Sequence, residues 1–200
     1  VEIMQPPAKM RTEVLDLGIA KDWPRLVSTI KRPWGNCAVA LLWNPSEQAQ
    51  SITLDLAQAG LDPARNYAVW SFWDNKFLGT TKGTWTTPSL EGWACQHLVF
   101  TPIDGTAANA PVLIGSNLHI SSGVAEIKTV TSTSKGVQVS LTDAGARDGK
   151  LFFHSTKPLK LQQATGLEAS PVVAAGENIW SIEIRTRQSG VVQILKLGVP

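Results

Sequence analysis

From about Leu26 to the end of the chain, short runs of β-branched, aromatic and aliphatic residues are broken every eight to twelve residues by Gly, Pro, Asn or Asp. That rhythm predicts an all-β fold of sandwich or barrel type. In the first half the runs predict strands at 27–31, 37–43, 51–56, 66–73, 76–81, 84–87 and 94–101. Ile52, Leu54 and Leu56 alternate with Ser51, Thr53 and Asp55, a period of two that turns one strand face to a core and the other to water. Pro33-Trp34-Gly35-Asn36, Asn44-Pro45-Ser46, Asp62-Pro63, Asp74-Asn75 and Lys82-Gly83 supply the turns between them, because these residues fix φ or tolerate φ > 0. Helix is expected to be scarce: 9–21 has helical spacing interrupted by Gly18, and 56–60 is long enough for a single turn.

Residues 104–111 are poor in large apolar side chains and lie between Pro102 and Pro111, which predicts a linker. Beyond it the strand rhythm resumes at 112–114, 118–121, 125–132, 136–142, 150–155, 159–164, 170–174, 179–186 and 190–197. The expected architecture is therefore two antiparallel β-sandwich domains. A Greek-key sandwich spans 1–103, and a second sandwich of about nine strands spans 112–200.

Composition narrows the chemistry. Of 200 residues, 43% are hydrophobic and 17% charged, with a net charge of +2, which is the balance of a globular chain and not of a disordered one. Without a basic run or a long apolar segment, neither nucleic acid nor membrane is an expected partner. No close-spaced Cys or His pair suggests a metal, and no phosphate-cradling glycine loop suggests a nucleotide, so no cofactor is expected. A start at Val1, with no initiator Met and no basic n-region, predicts a piece of a longer polypeptide.

Glycoside cleavage needs two carboxylates facing each other across the scissile bond, and the acids here fall mostly in turns or on polar strand faces. A Ser or Cys nucleophile needs a His partner, but His97, His119 and His154 are scattered. Gly115-Ser116-Asn117-Leu118-His119 has the form of a turn entering a strand. Cys37 and Cys95 each open a predicted strand. A bridge across their 58-residue separation is worth roughly 4 kcal/mol in chain entropy, and two separate buried thiols are the other reading.

Eight of the 14 aromatic residues are Trp, and seven of those eight precede the linker. Trp70 and Trp73 are three apart on one predicted strand, so in regular geometry they face opposite ways and one points out. An outward indole either stacks on a sugar or docks on a neighbouring surface. Trp34 in its Pro-Trp-Gly turn, and Trp85 and Trp93 near strand ends, raise the same pair of readings, with core packing as the third.

Four segments in order carry a family resemblance. They are Trp34-Gly35-Asn36-Cys37-Ala38-Val39-Ala40-Leu41-Leu42-Trp43-Asn44; Ile52-Thr53-Leu54-Asp55-Leu56 with Gly60-Leu61; Tyr67-Ala68-Val69-Trp70-Ser71-Phe72-Trp73; and Phe77-Leu78-Gly79. Together they resemble the C-terminal β-sandwich that follows the catalytic barrel in α-galactosidase-type glycoside hydrolases, the melibiase and raffinose-synthase-like families. Residues 111–123 are similar to the start of the last strand unit of those barrel enzymes, and the likeness covers roughly residues 9–123. Ser71 departs from the pattern, which usually has an acid before the aromatic-Trp pair.

The resemblance implies a non-catalytic accessory region of a glycoside hydrolase that packs on an upstream (β/α)8 barrel. The nucleophile and acid/base belong to that barrel, and no residue here corresponds to them. Trp34, Trp70, Trp73, Trp85 and Trp93 are then the candidates to contact either the barrel or an oligo- or polysaccharide. A stand-alone carbohydrate-binding module using exposed Trp is the alternative. The resemblance also implies a periplasmic or secreted location.

Overall fold

The computed structural model describes residues 25–104, 109–142, 145–186 and 191–200, together with the backbone of 13–14. All regular elements among them are strands, seventeen in number. The described residues form two compact units, one of 25–31 and 36–104, the other of 32–35 and 109–200.

The first unit is built on a six-stranded antiparallel sheet in the order β1-β2-β3-β8-β5-β6. Its strands are β1 (Glu13–Val14), β2 (Arg25–Ile30), β3 (Cys37–Trp43), β5 (Tyr67–Ser71), β6 (Lys76–Thr81) and β8 (Cys95–Pro102). Two short strands, β4 (Thr53–Asp55) and β7 (Thr84–Thr86), pair as a second, smaller layer. β8 returns between β3 and β5, β6 is the edge strand beside β5, and β7 leaves this sheet to pair with β4, so the Greek-key order expected from sequence, β8-β5-β6-β7, is not made within one sheet.

Alternation explains what each face buries. Ala38, Ala40 and Leu42 of β3 share a core with Leu98 and Phe100 of β8, Val69 of β5 and Leu54 of β4. Val39, Leu41 and Trp43 must then face the opposite way, as must His97 and Val99 of β8. That second face is also closed in its middle, where Val39, Trp70 and Val99 are buried, so β3, β8 and β5 read as near-continuous apolar runs. The single turn expected at 56–60 forms, with Asp55 Oδ1 accepting the N–H groups of Ala57 (2.8 Å) and Gln58 (3.2 Å) as an N-cap would.

The second unit packs two sheets face to face. One runs β10-β11-β17-β13 and the other β14-β16-β12-β9, with β15 also on β16. The strands are β9 (Val112–Ser116), β10 (Ile127–Thr133), β11 (Gly136–Leu141), β12 (Asp148–His154), β13 (Lys160–Thr165), β14 (Leu167–Ala169), β15 (Val173–Gly176), β16 (Ile179–Thr186) and β17 (Ile194–Gly198). Leu151, Phe153, Ile182, Val139 and Leu195 lie at the centre of the core between them, each fully buried.

Two expectations are corrected. The strand at 118–121 is a turn, since His119 Nδ1 accepts the N–H of Ser121 (3.1 Å) and Ser121 Oγ accepts that of Ala125 (3.1 Å). Side chains thus take the backbone bonds a ladder would need, and Ser122 and Gly123 follow at φ 48° and 111°. The extra strand appears instead at Leu167–Ala169, after Gly166 at φ 68°. Of the helical spacing at 9–21, only Glu13–Val14 is described, and it is strand, paired with Leu26 and Val27. Much of the expected linker, 105–108, lies outside the described residues, as does Trp23.

Candidate functional site

Three adjacent strands of the first unit end together. β3 stops at Trp43 opposite Cys95, where β8 begins, and β5 stops at Ser71 opposite Leu98. Ser71 Oγ donates to Asp74 Oδ2 at 2.7 Å and starts a turn. Phe72 is buried there, and Trp73 is thrown outward, 53% exposed. Its ring meets Phe72 edge to face at 4.8 Å and lies 6.2 Å from the ring of His97.

Trp93 is the second exposed indole, at 61%. Its ring lies 6.3 Å from that of Trp43, tilted by 41°, and its backbone N–H donates to Ser46 O at 3.1 Å. The backbone at Trp93 has φ 66°, a left-handed conformation that a bulky residue adopts at a cost of about 1–3 kcal/mol. Because Trp43 and His97 project from the same sheet face, Trp93 and Trp73 lie over one face at one end.

Asn44 holds this end together. Fully buried, it donates to Gln48 O, Leu90 O and Glu91 O at 2.9, 2.9 and 3.0 Å. Its Oδ1 accepts from the Ser46 N–H (3.0 Å) and from Gln50 Nε2 (2.7 Å). The loop that presents Ser46 to Trp93 is therefore fixed from inside. His97 is also buried, with its pKa lowered to about 4 by desolvation, so the imidazole is neutral at ordinary pH. Among the described residues its Nδ1 has no hydrogen-bond partner, nor has Asn75 Oδ1 in the turn beside Trp73.

The other expected contact residues lie elsewhere. Trp70 is fully buried and offers no surface; its ring meets Phe72 at 5.8 Å. Trp85 is half-buried against the first core, edge-on to Phe100 at 6.4 Å. Trp34 is half-buried on the core of the second unit, with the Arg32 guanidinium 5.5 Å from its ring centre. Cys37 is buried, but Cys95 is an exposed thiol, and neither is in a disulfide. They sit near opposite ends of the β3–β8 pair, about 20 Å apart at the rise of a strand, far beyond disulfide reach. Trp43, His97 and Asn75 were not among the expected contact residues; the signal for Trp43 and His97 was their shared parity on paired strands.

In the second unit, Glu126 is buried with its pKa raised to about 7 by desolvation, against hydrogen bonds from Ser116 and Gly123 and the charge of Arg32. Its Oε1 accepts the N–H of Gly123 at 2.7 Å. Nearby, His119 Nδ1 and Ser121 Oγ are 2.7 Å apart, and Arg32 Nη1 donates to Ser122 O at 3.1 Å. The residue types resemble a hydrolytic triad, but His119, Ser121 and Glu126 are each 3% exposed or less. Their bonds close the 117–126 turn and leave no room for a substrate.

A shallow groove of about 570 Å³ crosses β12, β14 and β16 of the same unit. Its carboxylates lie beside cations: Asp148 takes Arg185 through two bonds at 2.8 and 3.2 Å, and Glu183 takes Lys150 at 2.7 Å. These residues face each other directly across β12 and β16, so they form a cross-strand charge ladder. Asp148 in turn holds the Arg185 guanidinium above its ordinary pKa.

No protein-family model matches the chain, and no curated protein matches it. Among solved structures, α-galactosidase I from Mortierella vinacea matches 41% of this chain over 21% of its own length, at 18% identity and TM-score 0.36. A structure described as an α-N-acetylgalactosaminidase from Bacillus halodurans C-125 matches 47% of this chain over 21% of its own length, at 17% identity and TM-score 0.38. The chain spans about a fifth of the length of either structure. At that level of superposition the likeness carries no weight for activity.

Proposed function

We propose that this chain is the non-catalytic accessory region of a glycoside hydrolase resembling the α-galactosidases, packed on a catalytic (β/α)8 barrel that precedes it in the same polypeptide. The reading carries with it a periplasmic or secreted location. One observation supports it most: the exposed indoles of Trp73 and Trp93 gather at one end of a sheet, whereas the groove carboxylates Asp148 and Glu183 are each tied to a cation. Exposed indoles give apolar surface for a neighbouring domain to cover, and ion-paired acids are poorly suited to cutting a glycoside.

The test has two arms. The chain alone should not hydrolyse nitrophenyl α-galactoside; turnover abolished by Glu126→Gln would overturn the reading. Expressed as one polypeptide with its barrel, the chain should raise the barrel's melting temperature, and a barrel equally stable without it would also overturn it. A second reading, a stand-alone carbohydrate-binding module, is favoured by the small size of the aromatic surface. Two partly exposed Trp rings offer on the order of 250 Å², well short of the roughly 800 Å² per partner of a stable protein interface.

A further inference from the structure

We infer that Trp73 and Trp93 form a two-point platform for a pyranose oligosaccharide. The inference rests on the carbohydrate-binding reading and narrows its five candidate tryptophans to two. Both rings are braced from behind, Trp93 by Trp43 and Trp73 by Phe72 and His97. A ligand therefore meets preset faces and does not have to order mobile side chains.

The strained backbone of Trp93 points the same way. Nothing in the sandwich core requires an indole at φ 66°, because the ring packs outside that core on Trp43. Strain of this kind collects where a side chain must be aimed. What the ligand must be follows from the exposed groups. Two indoles, Trp73 and Trp93, offer flat apolar faces that match the C–H faces of pyranose rings, and two such faces call for more than one ring. Their combined area is on the order of 250 Å², too small for a stable protein partner.

The platform is tested by affinity electrophoresis of the full chain in guar galactomannan, β-glucan and xylan, with Trp fluorescence titration on raffinose and on galactosyl-mannopentaose. Retardation by at least one polysaccharide is expected, and tighter binding of the pentaose than of raffinose. Trp73→Ala and Trp93→Ala should each weaken binding at least fivefold, and the pair together should abolish it. Val192→Ala, at an exposed residue of the other unit, should change nothing. Near-ultraviolet dichroism confirms that each variant is folded, and Trp93→Gly, which relieves the strained φ, serves if Trp93→Ala is not. Binding that survives loss of both indoles overturns the platform and leaves the carbohydrate-binding reading standing; no binding to any glycan overturns both.

Discussion

The ring of Trp73 lies 6.2 Å from that of His97, at 66° to it, and Phe72 touches both. An exposed indole thus rests on a buried imidazole whose pKa is lowered to about 4 by desolvation. In the unfolded chain that imidazole titrates near 6.5, so below this pH the unfolded state binds the extra proton and the folded state refuses it. Stability present above pH 6.5 is lost as pH falls toward 4, by up to about 3 kcal/mol. Urea unfolding of the first unit, followed by Trp emission at pH 7.5 and 4.5, should show the loss. His97→Phe should flatten it, and an unchanged pH slope in that variant would show that the proton binds elsewhere.

Glu126 should respond in the opposite sense. Its folded pKa is raised from 4.5 to about 7, so the folded state holds a proton that the unfolded state has released. Stability of the second unit is then highest below pH 4.5 and falls as pH rises through 7, again by up to about 3 kcal/mol. Arg32 is the cation that opposes the shift. Glu126→Gln keeps the shape and removes the titration, so its melting temperature should exceed that of the parent chain at pH 8 and converge with it at pH 4.5.

Asn44→Ala removes the partner of six hydrogen bonds in one buried loop. Orphaned buried carbonyls cost about 1–3 kcal/mol each unless water reaches them, so a loss of about 3 kcal/mol is expected in chemical denaturation. Because Ser46 O accepts the Trp93 backbone N–H, loosening this loop should free the Trp93 ring from Trp43 and shift the indole emission to the red. Native emission in a destabilised Asn44→Ala chain would separate the hub from the platform.

Two glycines test backbone geometry against space. At Gly136, φ is 149° and an added Cβ would meet Leu197 O at 2.1 Å, so Gly136→Ala should cost about 3 kcal/mol or more. At Gly83, φ is 77° and nothing lies within 4 Å, so Gly83→Ala should cost only the left-handed penalty of about 1–2 kcal/mol. Equal melting temperatures for the two variants would contradict the close strand approach at Gly136.

Much of the fold was legible because period-two patterning is a local signal. Ile52, Leu54 and Leu56 reveal their core face without reference to the rest of the chain, and the turn at Asp74-Asn75 announces itself. The 118–121 turn was illegible because its apolar Leu118 and Ile120 mimic a strand, while its hydrogen bonds run through side chains, and propensity does not record them. Of the aromatic site, the outward turn of one indole from the Trp70–Trp73 pair could be foreseen. It comes about not by alternation along a strand but because the strand ends at Ser71. The convergence of Trp93 with Trp73 depends on β8 lying between β3 and β5, a pairing that joins residues far apart in sequence.

The unequal exposure of the two thiols gives the chain a built-in address. Cys37 is sealed in the sheet while Cys95 opens to solvent directly across from Trp43. A maleimide dye added to the native protein should therefore couple once, within quenching distance of the Trp43–Trp93 stack, and place a reporter there without any engineered mutation.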